Sequence, residues 1–168
     1  TRAGAKKKCA AITILLLFAT ALPGHADSRG FALTAPLAGI TIDGGLDDWP
    51  ADLPAYALPV TAHAQALGAA DDYRARFRVG FNAAEKALYV AVAVKDDSNV
   101  PVPEGPVSWD SQDGCEVMLK LPGFEPVQYF LRADSLGVVG SGALEAAQVA
   151  ADWQPGAYHF EWRFALDR

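Results

Sequence analysis

Two stretches of sequence decide the fold: YRARFRVGFN at residues 73–82 and ALYVAVAVK at residues 87–95. In both, large apolar side chains alternate with a second kind of residue, which is arginine in the first stretch and mostly alanine in the second. A period of two is typical of strands that bury one face and turn the other toward solvent. The two stretches are therefore predicted to be half-buried antiparallel strands.

The same alternation recurs toward the C-terminus, at residues 115–121, 127–132 and 158–166. Turn residues separate these segments, and short strands of this kind favour a sandwich of two sheets. Residues 143–153 are rich in Ala, Glu and Gln, so they suit either a helix or a further strand. Residues 47–53 are predicted to form one short helical turn. The fold class that follows is all-β, an antiparallel β-sandwich.

Length and charge restrict the number of domains and the classes of partner that the protein can have. The 168 residues suit one domain, and the formal net charge is −6. The first 26 residues hold four of the 14 basic side chains and no acid, which leaves 10 basic and 20 acidic side chains, a net charge of −10, in the remainder. Phosphate neutralisation needs clustered Lys and Arg, so this balance argues against nucleic acid and an anionic membrane surface as partners.

The N-terminal basic residues belong to a predicted targeting segment. Lys6, Lys7 and Lys8 precede an apolar run at residues 9–22. Small residues then occupy positions −3 and −1 of a possible cleavage site after Ala26. This order is typical of a secretory signal peptide, with a membrane anchor as the alternative. We expect a signal peptide at 1–26, a linker at 27–38 and one domain at 39–168. The mature protein is then exported, and is periplasmic, outer-membrane-associated or secreted.

The sequence carries no pattern suited to catalysis. Cys115 is the one cysteine outside the signal segment, and it is predicted to be a small buried hydrophobe whose thiol pKa is raised by the neighbouring Glu116. His63 and His159 lack the partner residues of a catalytic base. The protein is therefore expected not to be an enzyme.

Two oxygen-rich segments border predicted strands, at residues 96–99 and 110–113. Asp96, Asp97 and Asn99 offer the oxygen ligands that calcium takes in loops, although the spacing of an EF-hand is absent. The same residue types also cap turns by bonding to the backbone. A calcium site at these three residues and plain turn chemistry both stay open.

Trp109 lies in a polar segment just before the predicted strand that contains Glu116. An exposed indole ring stacks on the C–H face of a sugar, and a neighbouring carboxylate accepts hydrogen bonds from its hydroxyls. A loop tryptophan that folds back onto the core has the same sequence context. The segment therefore indicates either a sugar site or a core residue.

Five blocks of sequence, in order along the predicted domain, resemble family 9 carbohydrate-binding modules. The first is similar to the family's opening I-D-G-x-L-D-x-x-W, and the third to its W-x-x-D-x-x-E-x-x-L block. Five matches in the right order make the resemblance specific. In chain order they are IDGGLDDW at 42–49, FN at 81–82 with LYVAVAVKD at 88–96, residues 109–121, QYF at 128–130 and GAYHFE at 156–161.

The resemblance implies an immunoglobulin-like or jelly-roll sandwich of the kind shared with DOMON domains. It also implies non-catalytic binding of a mono- or oligosaccharide, with calcium in some members. Trp109 matches a ring that stacks on the sugar, Glu116 matches the acid that accepts its hydroxyls, and Asp113 matches an aspartate that shapes the loop. Phe130 stands where the family has an arginine, so either Arg132, two residues on, substitutes for it, or that hydrogen bond is absent.

Family members continue beyond the block at 156–161. The resemblance therefore implies that the chain is a fragment, with a sandwich incomplete at its C-terminus and further domains in the parent protein. Some related sandwiches bind haem b through Met and Lys. Met118 lies between Glu116 and Lys120 and is the one methionine of the chain. A periplasmic haem-binding domain is thus the alternative function, although haem is not the expected cofactor.

Overall fold

The structure is a computed structural model, and it describes residues 32–58, 73–96, 113–121, 125–132, 135–139 and 147–166. Within these ranges there are nine strands and no helix, hence no apolar helix long enough to cross a membrane. The predicted signal peptide at 1–26 lies outside them. The strands are β1 (Ala35–Pro36), β2 (Tyr56–Leu58), β3 (Tyr73–Asn82), β4 (Ala87–Asp96), β5 (Gly114–Leu119), β6 (Val127–Arg132), β7 (Ser135–Val139), β8 (Ala147–Gln154) and β9 (Ala157–Ala165).

Six strands form the large sheet, in the order β1-β3-β4-β9-β8, with β2 also paired to β3. β3 and β4 run antiparallel over their full lengths, from Tyr73 opposite Asp96 to Asn82 opposite Ala87. β4 pairs with β9 and β9 with β8 in the same sense. The short strands β1 and β2 share the other edge of β3. The two alternating stretches that predict the fold therefore form the hairpin at the centre of this sheet.

Three antiparallel strands, β5-β6-β7, form the small sheet. It packs on the inner face of the large sheet, where the rings of Tyr129 and Phe164 lie 4.9 Å apart between centroids. One buried cluster joins alternate residues of both sheets, as the period of two predicts. The all-β sandwich is therefore confirmed. Its fully buried side chains include Val79, Leu88, Tyr129, Phe160, Trp162 and Phe164.

Residues 147–154 form β8, so the helical alternative for residues 143–153 is wrong over the part that the structure describes. β8 pairs with β9 along its whole length. Trp153 stacks on Tyr158 across the pair, with ring centroids 4.8 Å apart. Pairing with the edge of β9 supplies backbone partners and ring contacts, and these outweigh the high helix propensity of Ala and Gln, which is a weak preference in free energy per residue.

Residues 47–53 form two hydrogen-bonded turns, not the predicted helical turn. The amide of Trp49 donates to the Leu46 carbonyl at 3.3 Å, and the amide of Leu53 donates to the Pro50 carbonyl at 3.1 Å. Pro50 separates the two turns because its nitrogen has no proton with which to continue a helical ladder.

The predicted linker at 27–38 extends too far. Within it, Ala35 and Pro36 form β1 beside β3, and Leu37 is buried. Gly80 of β3 lets this segment approach, since a Cβ at Gly80 would overlap the Leu37 side chain. Residues 35–37 therefore belong to the domain.

A second, smaller buried cluster lies on the outer face of the large sheet. Leu37, Trp49 and Leu53 of the N-terminal segment pack there on Tyr89 and Ala91 of β4. β4 is consequently buried on both faces over its first six residues, although its alternation predicts only one buried face. This segment covers one end of the outer face of the large sheet.

Candidate functional site

The outer face of the small sheet carries four half-buried side chains. Glu116 and Met118 point outward from β5, because the residues between and beside them lie in the core. Their cross-strand partners on β6 are Phe130, opposite Glu116, and Gln128, opposite Met118. An acid, an amide, a thioether and a phenyl ring therefore share one face.

A hydrogen bond orients the acid on this face. Nε2 of Gln128 donates to Oε2 of Glu116 over 2.9 Å. Such charge-assisted bonds restrict the rotamer of a carboxylate. A carboxylate offers about four acceptor positions, of which the Gln128 amide takes one. An oriented carboxylate beside the Phe130 ring suits a polyhydroxylated ligand, which presents hydroxyl donors and apolar C–H surfaces together.

Two predicted sugar-binding residues, Trp109 and Arg132, have side chains outside the part that the structure describes. Trp109 lies outside the described residues. Arg132 ends β6, and its side chain also lies outside the described part. Gln128 is part of the QYF block at 128–130, but sequence reasoning gave it no role in the site. Its place two residues before Phe130, on the same strand face, is the signal that points to such a role.

Asp113 does not join Glu116. Three residues along an extended strand place two side chains on opposite faces. Asp113 instead lies near Tyr73 and Tyr158, whose phenol pKa values are raised first by burial and also by the charges of Asp113 and Asp96. Asp113 therefore lies near an end of the large sheet, and its expected role in shaping the loop before β5 stays a prediction.

The structure brings two carboxylates, Asp96 and Asp113, to this same end. Within the described ranges no three His, Cys, Asp or Glu residues lie close enough to hold a metal ion. Asp97 and Asn99, the other predicted calcium ligands, lie outside the described residues. Two carboxylates supply fewer oxygens than the six to eight that calcium takes, and a calcium site stays a prediction.

The first and last blocks of the family resemblance meet at Glu161, a fully buried acid of β9. Its Oε1 accepts a hydrogen bond from Trp49 Nε1 at 2.6 Å, and its Oε2 accepts from the amides of Asp43 at 3.0 Å and Gly44 at 2.7 Å. Burial raises the pKa of the Glu161 carboxyl, and these three bonds oppose the rise. The contact fastens the N-terminal segment to the outer face of the large sheet.

Gly44 completes this anchor. Its φ is +91°, in the region that disfavours side chains, and a Cβ there would lie 2.7 Å from the Ala151 carbonyl carbon. Both blocks were recognised in the sequence, but nothing in either block indicates that the acid of one binds the indole of the other. Their role in this chain is structural, on the side of the sandwich away from Glu116.

No family model matches the chain, and no curated protein matches it. Solved structures do. A family 9 carbohydrate-binding module from Caldicellulosiruptor kristjanssonii in complex with glucose is 20% identical, with a TM-score of 0.61 over 82% of this chain and 70% of that one. A structure of such a module from the same organism in complex with cellotriose is 21% identical, with a TM-score of 0.61 over 80% and 67%. The chain therefore has the fold of a family 9 carbohydrate-binding module, as the resemblance implied.

Proposed function

We propose that the chain is a non-catalytic carbohydrate-binding module that binds a mono- or oligosaccharide on the outer face of the small sheet. The observation that carries the proposal is the Gln128–Glu116 hydrogen bond, which orients a carboxylate beside the Phe130 ring. The solved structures of the same fold hold glucose and cellotriose, which supports ligands of that class.

In this proposal Glu116 accepts hydrogen bonds from sugar hydroxyls, and Gln128 holds the carboxylate in place. Phe130 supplies an apolar contact to the C–H groups of the sugar. Trp109 stacks on the sugar ring, and Arg132 donates to a hydroxyl, as the family pattern implies. The face combines an acceptor, a positioning amide and apolar surface, which is suited to binding and does not need a reacting group.

We further propose that the protein is exported, with cleavage after Ala26, and that it forms part of a longer carbohydrate-active or membrane sensor protein. The order of basic, apolar and small residues at 6–26 supports the export and the cleavage. N-terminal sequencing of the mature protein is expected to begin at Asp27. A mature chain that still begins near Thr1 would identify the apolar run as an anchor.

Titration calorimetry with glucose and cellotriose tests the sugar site. We expect dissociation constants of roughly micromolar to millimolar size. Glu116→Gln weakens a charge-assisted bond and is expected to cost about 1–2 kcal/mol of binding free energy. Trp109→Ala removes the stacking face and costs about 1–3 kcal/mol. Glu125→Gln, the same change at an exposed position before β6, is the matched control and leaves binding unchanged.

Three outcomes would contradict the proposed sugar site. Absence of binding to any saccharide on a glycan array by the folded domain contradicts it. A sharp fall in melting temperature of Trp109→Ala with unchanged affinity places Trp109 in the core. A Soret band in the purified protein, lost in Met118→Leu, establishes the haem-binding alternative.

A further inference from the structure

The inner face of the large sheet ends in a row with one open position. Tyr73 of β3 lies opposite Asp96 of β4, and the amide of Asp96 donates a hydrogen bond to the carbonyl of Gly156 at 3.2 Å. Gly156 lies in the turn between β8 and β9 and contributes no side chain. A Cβ placed on it would have one described atom within 4 Å, the Asp96 carbonyl oxygen at 3.9 Å. Among the described residues, the space beside Gly156 is therefore open.

Aromatic rings border this open position. In the next row of the inner face, Tyr158 of β9 lies opposite Trp153 of β8, and their rings stack with centroids 4.8 Å apart. Tyr73 and Trp153 are half-buried, whereas Tyr158 is 4% exposed. Asp113, just before β5, lies near both phenols from the side of the small sheet. We call the site made by Tyr73, Asp96, Asp113, Trp153 and Tyr158 the end recess.

The two phenol groups of the end recess have no hydrogen-bond partner within the described part of the chain. Trp162 Nε1 is the fully buried side-chain nitrogen or oxygen that lacks a partner there. The oxygen of Tyr158 is therefore in contact with solvent, although its side chain is more than nine-tenths buried. Enclosed polar groups are normally hydrogen-bonded, so an enclosed phenol without a partner indicates a place for a polar ligand group.

Carboxylates determine the charge of the end recess. Burial is the first cause that raises the pKa of both phenols, and the charges of Asp96 and Asp113 raise it further. No described Lys or Arg acts on either phenol. Both carboxylates also have other contacts. The site does not require either of them to be free, because a carboxylate has about four acceptor positions and can accept from several donors.

We propose that the end recess binds an alkylammonium group, that is, an organic molecule with a protonated amine. A positive charge is attracted to the faces of Trp and Tyr rings. The N–H groups of the ammonium donate to the phenol oxygens and to the carboxylates at the rim. Calcium takes six to eight oxygen ligands and makes no use of stacked rings. The end recess shares no residue with the outer face of the small sheet, so this proposal does not rest on the sugar site.

Titration of the full chain with n-butylammonium chloride, followed through backbone amide signals in two-dimensional NMR, tests the proposal. We expect a dissociation constant in the millimolar range, because one ammonium group makes few contacts. The largest shifts are expected at Tyr73, Gly156 and Tyr158. n-Butanol has the same alkyl chain without the charge, and it should bind about tenfold more weakly or not at all.

Variants locate the binding in the end recess. Asp113→Asn removes a charge and Trp153→Leu removes a ring, and each should weaken n-butylammonium binding about fivefold or more. Asp52→Asn, the same change of charge at an exposed position of the N-terminal segment, is the matched control and keeps the affinity. Melting temperatures show which variants fold, and Asp113→Asn alone decides if Trp153→Leu does not.

The outcomes separate this proposal from others. Equal binding of n-butanol means that the recess is only apolar, and it overturns the proposal. Equal weakening by Asp113→Asn and Asp52→Asn means that net charge alone acts, and it overturns the proposal too. Calcium chloride that displaces n-butylammonium at a lower concentration identifies a metal site instead. Unchanged n-butylammonium binding in Glu116→Gln supports a separate site, and absence of cellotriose binding by the unsubstituted chain counts only against the site on the small sheet.

Discussion

Glu161 holds the N-terminal segment on the outer face of the large sheet through side-chain hydrogen bonds. Its carboxylate is fully buried and accepts bonds from three N–H groups that have no acceptor capacity of their own. A buried acid is stable only when such donors replace water. The residue is therefore a fastening point for the N-terminal segment, at a distance from the proposed sugar site.

Glu161→Gln tests this fastening. The new amide N–H₂ has to face an N–H donor, so one buried donor loses its partner. We expect a loss of about 2–4 kcal/mol in the free energy of unfolding, measured by urea denaturation. Glu125→Gln, exposed and with the same change of charge, should leave stability within about 0.5 kcal/mol. A loss of that small size in Glu161→Gln would contradict the anchoring role.

Cys115 gives a second prediction at this scale. Burial raises the pKa of its thiol from 9.0 to about 12, and the charge of Glu116 adds to the rise. The folded protein keeps the thiol neutral, so iodoacetamide at pH 8 should label it only in denaturant. The unfolded thiol ionises near 9, so the stabilisation by Cys115 is complete below that pH and falls as the pH rises toward 12. Labelling of the native protein at the unfolded rate would show that Cys115 is accessible.

At the scale of elements, β1 depends on the absence of a side chain in β3. Leu37 follows β1 and occupies the space above Gly80. The two-residue strand β1 has few backbone bonds, so this contact accounts for much of its attachment. The same arrangement explains why residues 35–37 are part of the domain and not of a linker.

A double-mutant cycle measures this attachment. Gly80→Ala should destabilise the protein by about 1–3 kcal/mol because Leu37 has to move. Leu37→Ala should cost about 2–4 kcal/mol through lost burial. The double variant should cost clearly less than the sum, since the new methyl group fills part of the space that Leu37 leaves. Additive free energies from urea denaturation would show that the two residues do not compete for this space.

At the scale of the whole molecule, β4 and β9 each lie between two long strands of the large sheet. β4 and β9 are hydrogen-bonded on both edges and bury their inner side chains against the small sheet. β2 has three residues and, among the described strands, pairs only with β3. Stability within a fold follows such differences in burial and pairing.

Hydrogen exchange followed by mass spectrometry should therefore protect β4 and β9 longest. Their amides open only when the sandwich unfolds globally, whereas β2 opens by local fraying. Peptides that cover residues 88–94 and 158–164 are expected to exchange last. Protection of β2 equal to that of β4 would mean that the large sheet unfolds as one unit to its edge.

The sequence by itself determined five of the nine described strands, namely β3, β4, β5, β6 and β9. The period of two in β3, β4, β5 and β9 is a local property, because successive side chains of a strand point to opposite sides. It assigned Glu116 and Met118 outward and Trp162 to the core, and all three assignments are confirmed. The role of Asp113 in shaping the loop before β5 stays a prediction.

Tertiary structure decided what depends on neighbours. The Glu161–Trp49 bond joins residues 112 positions apart, and no local pattern indicates that the two meet. The second face of β4 is buried because the N-terminal segment lies on it, and residues 147–154 form a strand because β9 offers an edge. Lys95 lies opposite Arg74 because of the register in which β3 and β4 pair. The free energy of packing the whole sandwich decides which strands become neighbours. Alternation within one strand does not specify its neighbours.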